Sequence, residues 1–142
     1  MDIILLDDSG RVALSADIDD WVVIEAAGID VVIDLDGDLD LGVPTVPNQL
    51  LYIYFPIEDD ELPDLDKLHA VAKLGATLVT QGHKVLTHCA MGYNRSALIV
   101  GLILMNLGIT GEEAVVLLRR KRVGALFNPN FATYLYTCVL AP

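Results

Sequence analysis

The stretch Lys84-Val85-Leu86-Thr87-His88-Cys89-Ala90-Met91-Gly92-Tyr93-Asn94-Arg95-Ser96 decides how the rest of the chain is read. Lys84 to Thr87 is short and apolar and reads as a strand. Arg95 to Leu107 is strongly apolar and long enough for a buried helix. A strand that feeds a glycine-containing turn and then a helix makes an anion cradle. The amides of Ala90, Met91, Gly92, Tyr93, Asn94 and Arg95 can curl round one point, and the helix N-terminus adds partial positive charge.

A phosphate dianion suits such a cradle. The same amides and dipole favour thiolate over thiol at Cys89, which stands at its base. Arg95, six residues further on, carries a planar fork able to hold two phosphate oxygens, a geometry that lysine lacks. Ser96 can donate a hydrogen bond to the sulfur, and Gly92 lets the backbone turn tightly toward a ligand. His88 and Asn94 are expected to brace the loop. The plainer reading is a buried structural cysteine at a strand end.

Outward from this stretch the pattern is β-α-β-β-α-β-α-α-α. Ile3 to Leu6 and Val12 to Leu14 read as a hairpin or two edge strands, and Asp17 to Ala27 as a helix with Trp21 in the core. Asp30 to Leu35 and Leu50 to Phe55 read as buried strands, separated by an acidic loop over Asp36 to Asn48. Leu65 to Val79 has helical spacing. Thr110-Gly111-Glu112-Glu113 is a capping box that opens a helix ending in Arg119-Arg120-Lys121-Arg122, cations suited to a helix C-terminus. They could instead dock an acidic segment of substrate. Asn128-Pro129 opens the last helix. The expectation is an α/β fold, residues 1–142 as one domain, with a central, mostly parallel sheet of about 4–5 strands flanked by helices.

Hydrophobic residues make up 54% of the chain, which argues for a packed globule and against disorder. The longest apolar run, Ala97 to Met105, is about half a membrane span. The start of the chain lacks the pattern of a signal peptide. These readings lead to a soluble cytoplasmic protein with no membrane partner. The formal charge of −11 opposes nucleic acid at long range. Cys89 and Cys138 are expected to be free thiols, Cys138 an inert core residue. His69, His83 and His88 have no metal-ligand spacing, so no metal and no cofactor are expected.

The string His88-Cys89-x5-Arg95-Ser96 resembles the signature loop of the cysteine-dependent protein tyrosine phosphatase superfamily, and more narrowly of the small dual-specificity phosphatases. Gly28 to Leu35, Tyr54 to Asp59 and Asn128 to Phe131 resemble further segments of the same family. The resemblance implies hydrolysis of phosphomonoesters through a phosphocysteine, with Cys89 as nucleophile, Arg95 as phosphate clamp and Ser96 assisting thiolate departure. It points to Asp59 as general acid, on the loop after the Leu50 to Phe55 strand, with Asp60 the adjacent alternative. The implied partner is a phosphorylated protein or a small phosphoester.

Two other readings stay open. Gly92-Tyr93-Asn94-Arg95 also resembles the loop of metal-independent RNA 5′-triphosphatases, although the charge of −11 speaks against RNA. A non-catalytic phosphate-binding module would be expected if Cys89, Arg95 or the loop acid were missing, and none is.

Overall fold

A computed structural model describes residues 1–140. Five strands form one sheet in the order β1-β2-β5-β3-β4, with β1 Ile4–Leu5, β2 Val12–Ser15, β3 Val31–Asp34, β4 Leu51–Tyr54 and β5 Val85–His88. β1 is antiparallel to β2, and the other pairings are parallel. The expected hairpin is present, but β2 lies inside the sheet beside β5 and only β1 is an edge on that side.

The helices are α1 Trp21–Ala26, α2 Leu65–Thr80, α3 Arg95–Asn106, α4 Gly111–Lys121 and α5 Pro129–Thr137. α3 is the central helix, and every residue from Ser96 to Met105 is buried. Each fully buried Leu or Ile contributes roughly 1.5–3 kcal/mol. Burial of Leu98, Ile99, Leu102 and Ile103 therefore outweighs the cost of about 1 kcal/mol for Gly101 inside the helix. Gly101 is also needed for packing, since a Cβ there would meet the Leu135 side chain at 2.8 Å. Among the described residues no helix is long and apolar enough to cross a membrane.

Strand alternation divides the core in two. Val12, Leu14, Val31, Ile33, Val85 and Cys89 face the large cluster with α3. Ala13, Val32 and Leu86 face a smaller cluster with Ile18, Ile24 and Ile29.

Two expectations need correction here. β4 is not a buried strand: it ends the sheet, and Leu51 is 43% exposed. Its tyrosines face polar partners, Tyr54 donating to the Gly37 carbonyl at 2.8 Å. Nor is Trp21 fully buried. Asp20 caps α1 and Trp21 opens it, half-buried against the smaller cluster, its indole N–H on the Leu41 carbonyl at 2.9 Å.

Candidate active site

Ser15, His88, Asp34 and Tyr54 stand in register across β2, β5, β3 and β4, the last row before the strands end. The segments leaving these strands therefore converge at the carboxyl edge of the sheet, where α/β folds bind ligands. Beyond β5 comes Cys89, beyond β3 comes Asp36, and beyond β2 comes Asp17. The Asp17 amide donates to the Ala90 carbonyl at 3.4 Å. Cys89 is 1% exposed.

The loop from Cys89 to Asn94 wraps the sulfur. The Gly92 amide points at Cys89 Sγ at 3.2 Å, and Ser96 Oγ lies 3.3 Å from the same atom. Gly92 has φ +73, and a Cβ there would lie 3.0 Å from the Ala16 amide nitrogen and 3.1 Å from Ser15 backbone atoms. The turn therefore demands glycine both for its backbone angle and for its closeness to β2. α3 starts at Asn94 with no side-chain cap, whereas Asp20, Asp64, Thr110 and Asn128 cap the other four helices. The first amides of α3 thus face the loop with no side chain competing for them.

Arg95 reaches across the mouth of the loop. Its Nη1 donates to the Ile57 carbonyl at 3.3 Å and lies 3.5 Å from Asp36 Oδ1. Asp36 is held below the ordinary carboxylate range: its partial burial pushes the other way, but hydrogen bonds from the Gly37 amide and Asp17 and the charge of Arg95 prevail. Asp17 is raised by burial, by its hydrogen bond to Asp36 and by that neighbour's charge.

Asp59 arrives from the loop after β4. Its Oδ2 accepts from Asn94 Nδ2 at 2.9 Å and its Oδ1 from Asn128 Nδ2 at 2.9 Å. Asp60 joins the same network through its backbone, its carbonyl accepting from Asn128 and Asn130 at 3.0 Å each. Asn94 Oδ1 in turn takes the Asn128 amide at 2.9 Å. Asn94 makes hydrogen bonds that tie its loop to the acidic loop and to the start of α5.

His88 points to the opposite face of the sheet from Cys89. Its Nε2 lies 2.7 Å from Asp40 and 3.6 Å from Asp34. Tyr52 donates to the other oxygen of Asp34. Burial, the largest influence, raises Asp34 despite that hydrogen bond. Asp34, Asp40 and His88 bring donor atoms within 4.8 Å of one another, the one such group among the described residues. Spacing along the chain could not reveal it, because three segments supply it. The imidazole nitrogen that faces the carboxylates is already engaged by Asp40.

The basic run closes α4 as expected, with Arg119, Arg120 and Lys121 in its last turn and Arg122 as its C-cap, and two of its arginines reach beyond the helix. Arg119 donates to the Ala125 and Leu126 carbonyls, at 3.3 and 3.0 Å. Arg122 turns back to the Cys89 loop, donating to Met91 O at 2.8 Å and Gly92 O at 3.3 Å. Its guanidinium carbon lies 4.1 Å from the centre of the Tyr93 ring. Cys89 and Cys138 are free thiols. Cys138 is not in the core but half-buried at the end of α5, and burial pushes its thiol up.

The carboxyl edge of a mostly parallel sheet thus carries a cysteine loop, an arginine and a carboxylate loop. Residues 16–138 match the dual specificity phosphatase, catalytic domain, family, and the chain belongs to that family of protein phosphatases. The crystal structure of Tk-PTP in the active form is similar over 96% of this chain and 97% of that one, with 26% identity and a TM-score of 0.73. Human DUSP28 (22% identity, TM-score 0.78, covering 93% of this chain and 92% of that one) shares the fold. So does DUSP15, at 19% identity and a TM-score of 0.79, covering 94% of this chain and 85% of that one. No curated protein matches the chain.

Proposed function

We propose that the chain hydrolyses phosphomonoesters, phosphotyrosine and phosphoserine or phosphothreonine in proteins among them, through a phosphocysteine on Cys89 and without a metal. The observation that carries this reading is the hydrogen bond from Asn94, inside the cysteine loop, to the Asp59 carboxylate, because it joins the acid to the nucleophile's cradle.

In the proposed cycle the Cys89 thiolate attacks phosphorus in line while the loop amides and Arg95 hold the three equatorial oxygens. As the bond from phosphorus to the leaving oxygen breaks, Asp59 as carboxylic acid passes its proton to that oxygen. The resulting carboxylate then takes a proton from water, whose oxygen attacks phosphorus. The sulfur–phosphorus bond breaks, and Ser96 receives the departing thiolate as hydrogen-bond donor. Inorganic phosphate leaves. His88, the last residue of β5, is held by Asp40, and we read it as bracing the start of the loop. Between the two candidate acids Asp59 is favoured, since its carboxylate is tied to the loop whereas Asp60 contributes its carbonyl.

The test is p-nitrophenyl phosphate turnover in excess EDTA. Cys89→Ser is expected to abolish it. Asp59→Asn is expected to lower kcat by roughly a hundredfold or more, within the usual range for general acid catalysis. Turnover that survives Cys89→Ser, or that needs added metal, rejects the reading. A mild Asp59→Asn beside a damaging Asp60→Asn moves the acid by one residue. A panel of phosphotyrosine, phosphothreonine and triphosphate-ended RNA measures the substrate class, and the charge of −11 leads us to expect no RNA turnover.

A further inference from the structure

We propose that Arg122 is a positioning residue for the phosphate loop, holding its peptide groups with their amides turned inward; this deepens the phosphatase reading above and rests on it. In a trans peptide the N–H and the C=O point in opposite directions, and the chain has no cis bonds among the described residues. A loop that aims its amides at one ligand must therefore turn its carbonyls outward, where each needs a donor.

The Met91–Gly92 peptide shows both ends of that arrangement. Its N–H points at Cys89 Sγ at 3.2 Å, and its C=O receives Arg122 Nη2 at 2.8 Å. The next peptide turns its Gly92 carbonyl to Arg122 Nε at 3.3 Å, which sends the Tyr93 N–H the other way. The flanking carbonyls are held by backbone: Ala90 O by the Asp17 amide and Tyr93 O by the Leu126 amide. Arg122 is the one side chain among these outer donors, and it serves the two middle carbonyls.

Those are the peptides that most need holding. Gly92 stands at φ +73, and glycine populates both signs of φ with little preference. Rotation of the Met91–Gly92 peptide thus meets little steric resistance of its own. Reversed, it would turn a carbonyl dipole toward the sulfur and toward any phosphate. The side chain that resists this is well placed to do so. Arg122 leaves α4 as its C-cap, with φ −124 and ψ 91, and lies over Tyr93 of the same loop at 4.1 Å. Among the described residues, in a chain with twenty acidic groups, no carboxylate pairs with it.

The test uses the full chain with Arg122→Ala and Arg122→Lys, and with Arg120→Ala as control for the loss of one charge at the same helix end. Four quantities are read: kcat/KM for p-nitrophenyl phosphate, inhibition by orthovanadate, the rate of Cys89 alkylation by anionic iodoacetate relative to neutral iodoacetamide, and Tm. Arg122→Ala is expected to lose about tenfold or more in vanadate affinity and in kcat/KM, as the loss of a charge-assisted hydrogen bond implies. The iodoacetate preference falls with them, while Tm stays close to that of Arg120→Ala. Arg122→Lys falls between, because an ammonium reaches a carbonyl but lacks the fork.

Vanadate affinity and iodoacetate preference in Arg122→Ala within about twofold of Arg120→Ala overturn the proposal. If Arg122→Ala does not fold, the same comparison is made on Arg122→Lys, with equality to Arg120→Ala again the overturning result. Failure of the phosphatase reading looks different. The wild-type chain would then neither turn over p-nitrophenyl phosphate nor have Cys89 protected by vanadate.

Discussion

The sulfur of Cys89 is bounded by a backbone amide that depends on one glycine and by a hydroxyl from the first turn of α3. Replacing Gly92 by alanine tests the first. A Cβ forces a side chain into the left-handed region, at roughly 1–2 kcal/mol, and against the backbone of Ala16 and Ser15. Urea unfolding of Gly92→Ala is expected to show a loss of about 1–3 kcal/mol, with p-nitrophenyl phosphate activity falling further than stability. Unchanged stability and activity would mean that the turn is not constrained as described.

Asp17 and Asp36 give a second prediction at this scale. Asp17 is raised by burial and by its neighbour, so the folded state holds that proton more tightly than the unfolded chain does. The stability this contributes is present below the ordinary value of 3.8 and is lost as pH rises through the raised one. At neutral pH the ionised group is a cost. Asp17→Asn is therefore expected to have a higher Tm than wild type at pH 7, the difference shrinking toward pH 4. A constant difference across that range contradicts the assignment.

How far these residues are legible in the sequence depends on chain separation. Cys89, Gly92, Arg95 and Ser96 lie within eight consecutive positions, and one strand–turn–helix geometry relates them all. Arg122 meets the loop across separations of 30 and 31 residues, and Asn128 meets Asp59 across 69. In the chain alone Arg122 is a cation at a helix end and Asn128 a helix cap, and both local roles hide the distant one. Asp36 is similarly concealed in an acidic loop, although it faces Arg95.

At the level of elements, helix ends are the most legible features because caps are local. Thr110 and Glu113 form the expected capping box, both bonds at 3.1 Å. Thr110→Ala is expected to destabilise by about 1 kcal/mol in thermal or urea unfolding. Gly111, the next residue, is a harder constraint. A Cβ there would fall 1.7 Å from the Leu135 carbonyl oxygen, backbone that cannot give way without moving α4 from α5. Gly111→Ala is expected to cost more than Thr110→Ala, at the upper end of about 1–3 kcal/mol. The reverse order would argue against this close helix contact. The edge position of β4 is not legible, because Leu-Tyr-Ile-Tyr reads as buried whether its tyrosine hydroxyls find water or, as here, Asp34 and Gly37.

Across the whole molecule the charge is lopsided, with 20 acidic against 9 basic residues. Self-repulsion of such a surface weakens as the Debye length shortens from about 30 Å at 0.01 M salt to about 3 Å at 1 M. Tm is expected to rise by a few degrees over that range of sodium chloride, and a fall would show that attractive ion pairs dominate instead. Against this background the groups we propose hold the phosphate lie together at one edge of the sheet: the loop amides, the open end of α3 and Arg95. The sulfur in their midst is where the proposed chemistry begins and ends. The direct measurement is acid-quenched turnover of p-nitrophenyl phosphate in EDTA, with the phosphoryl group located by mass spectrometry. The prediction is a phosphoryl group on Cys89 and none in Cys89→Ser, which does not turn over. Turnover by Cys89→Ser, or a phosphoryl group carried by any other residue, would contradict it.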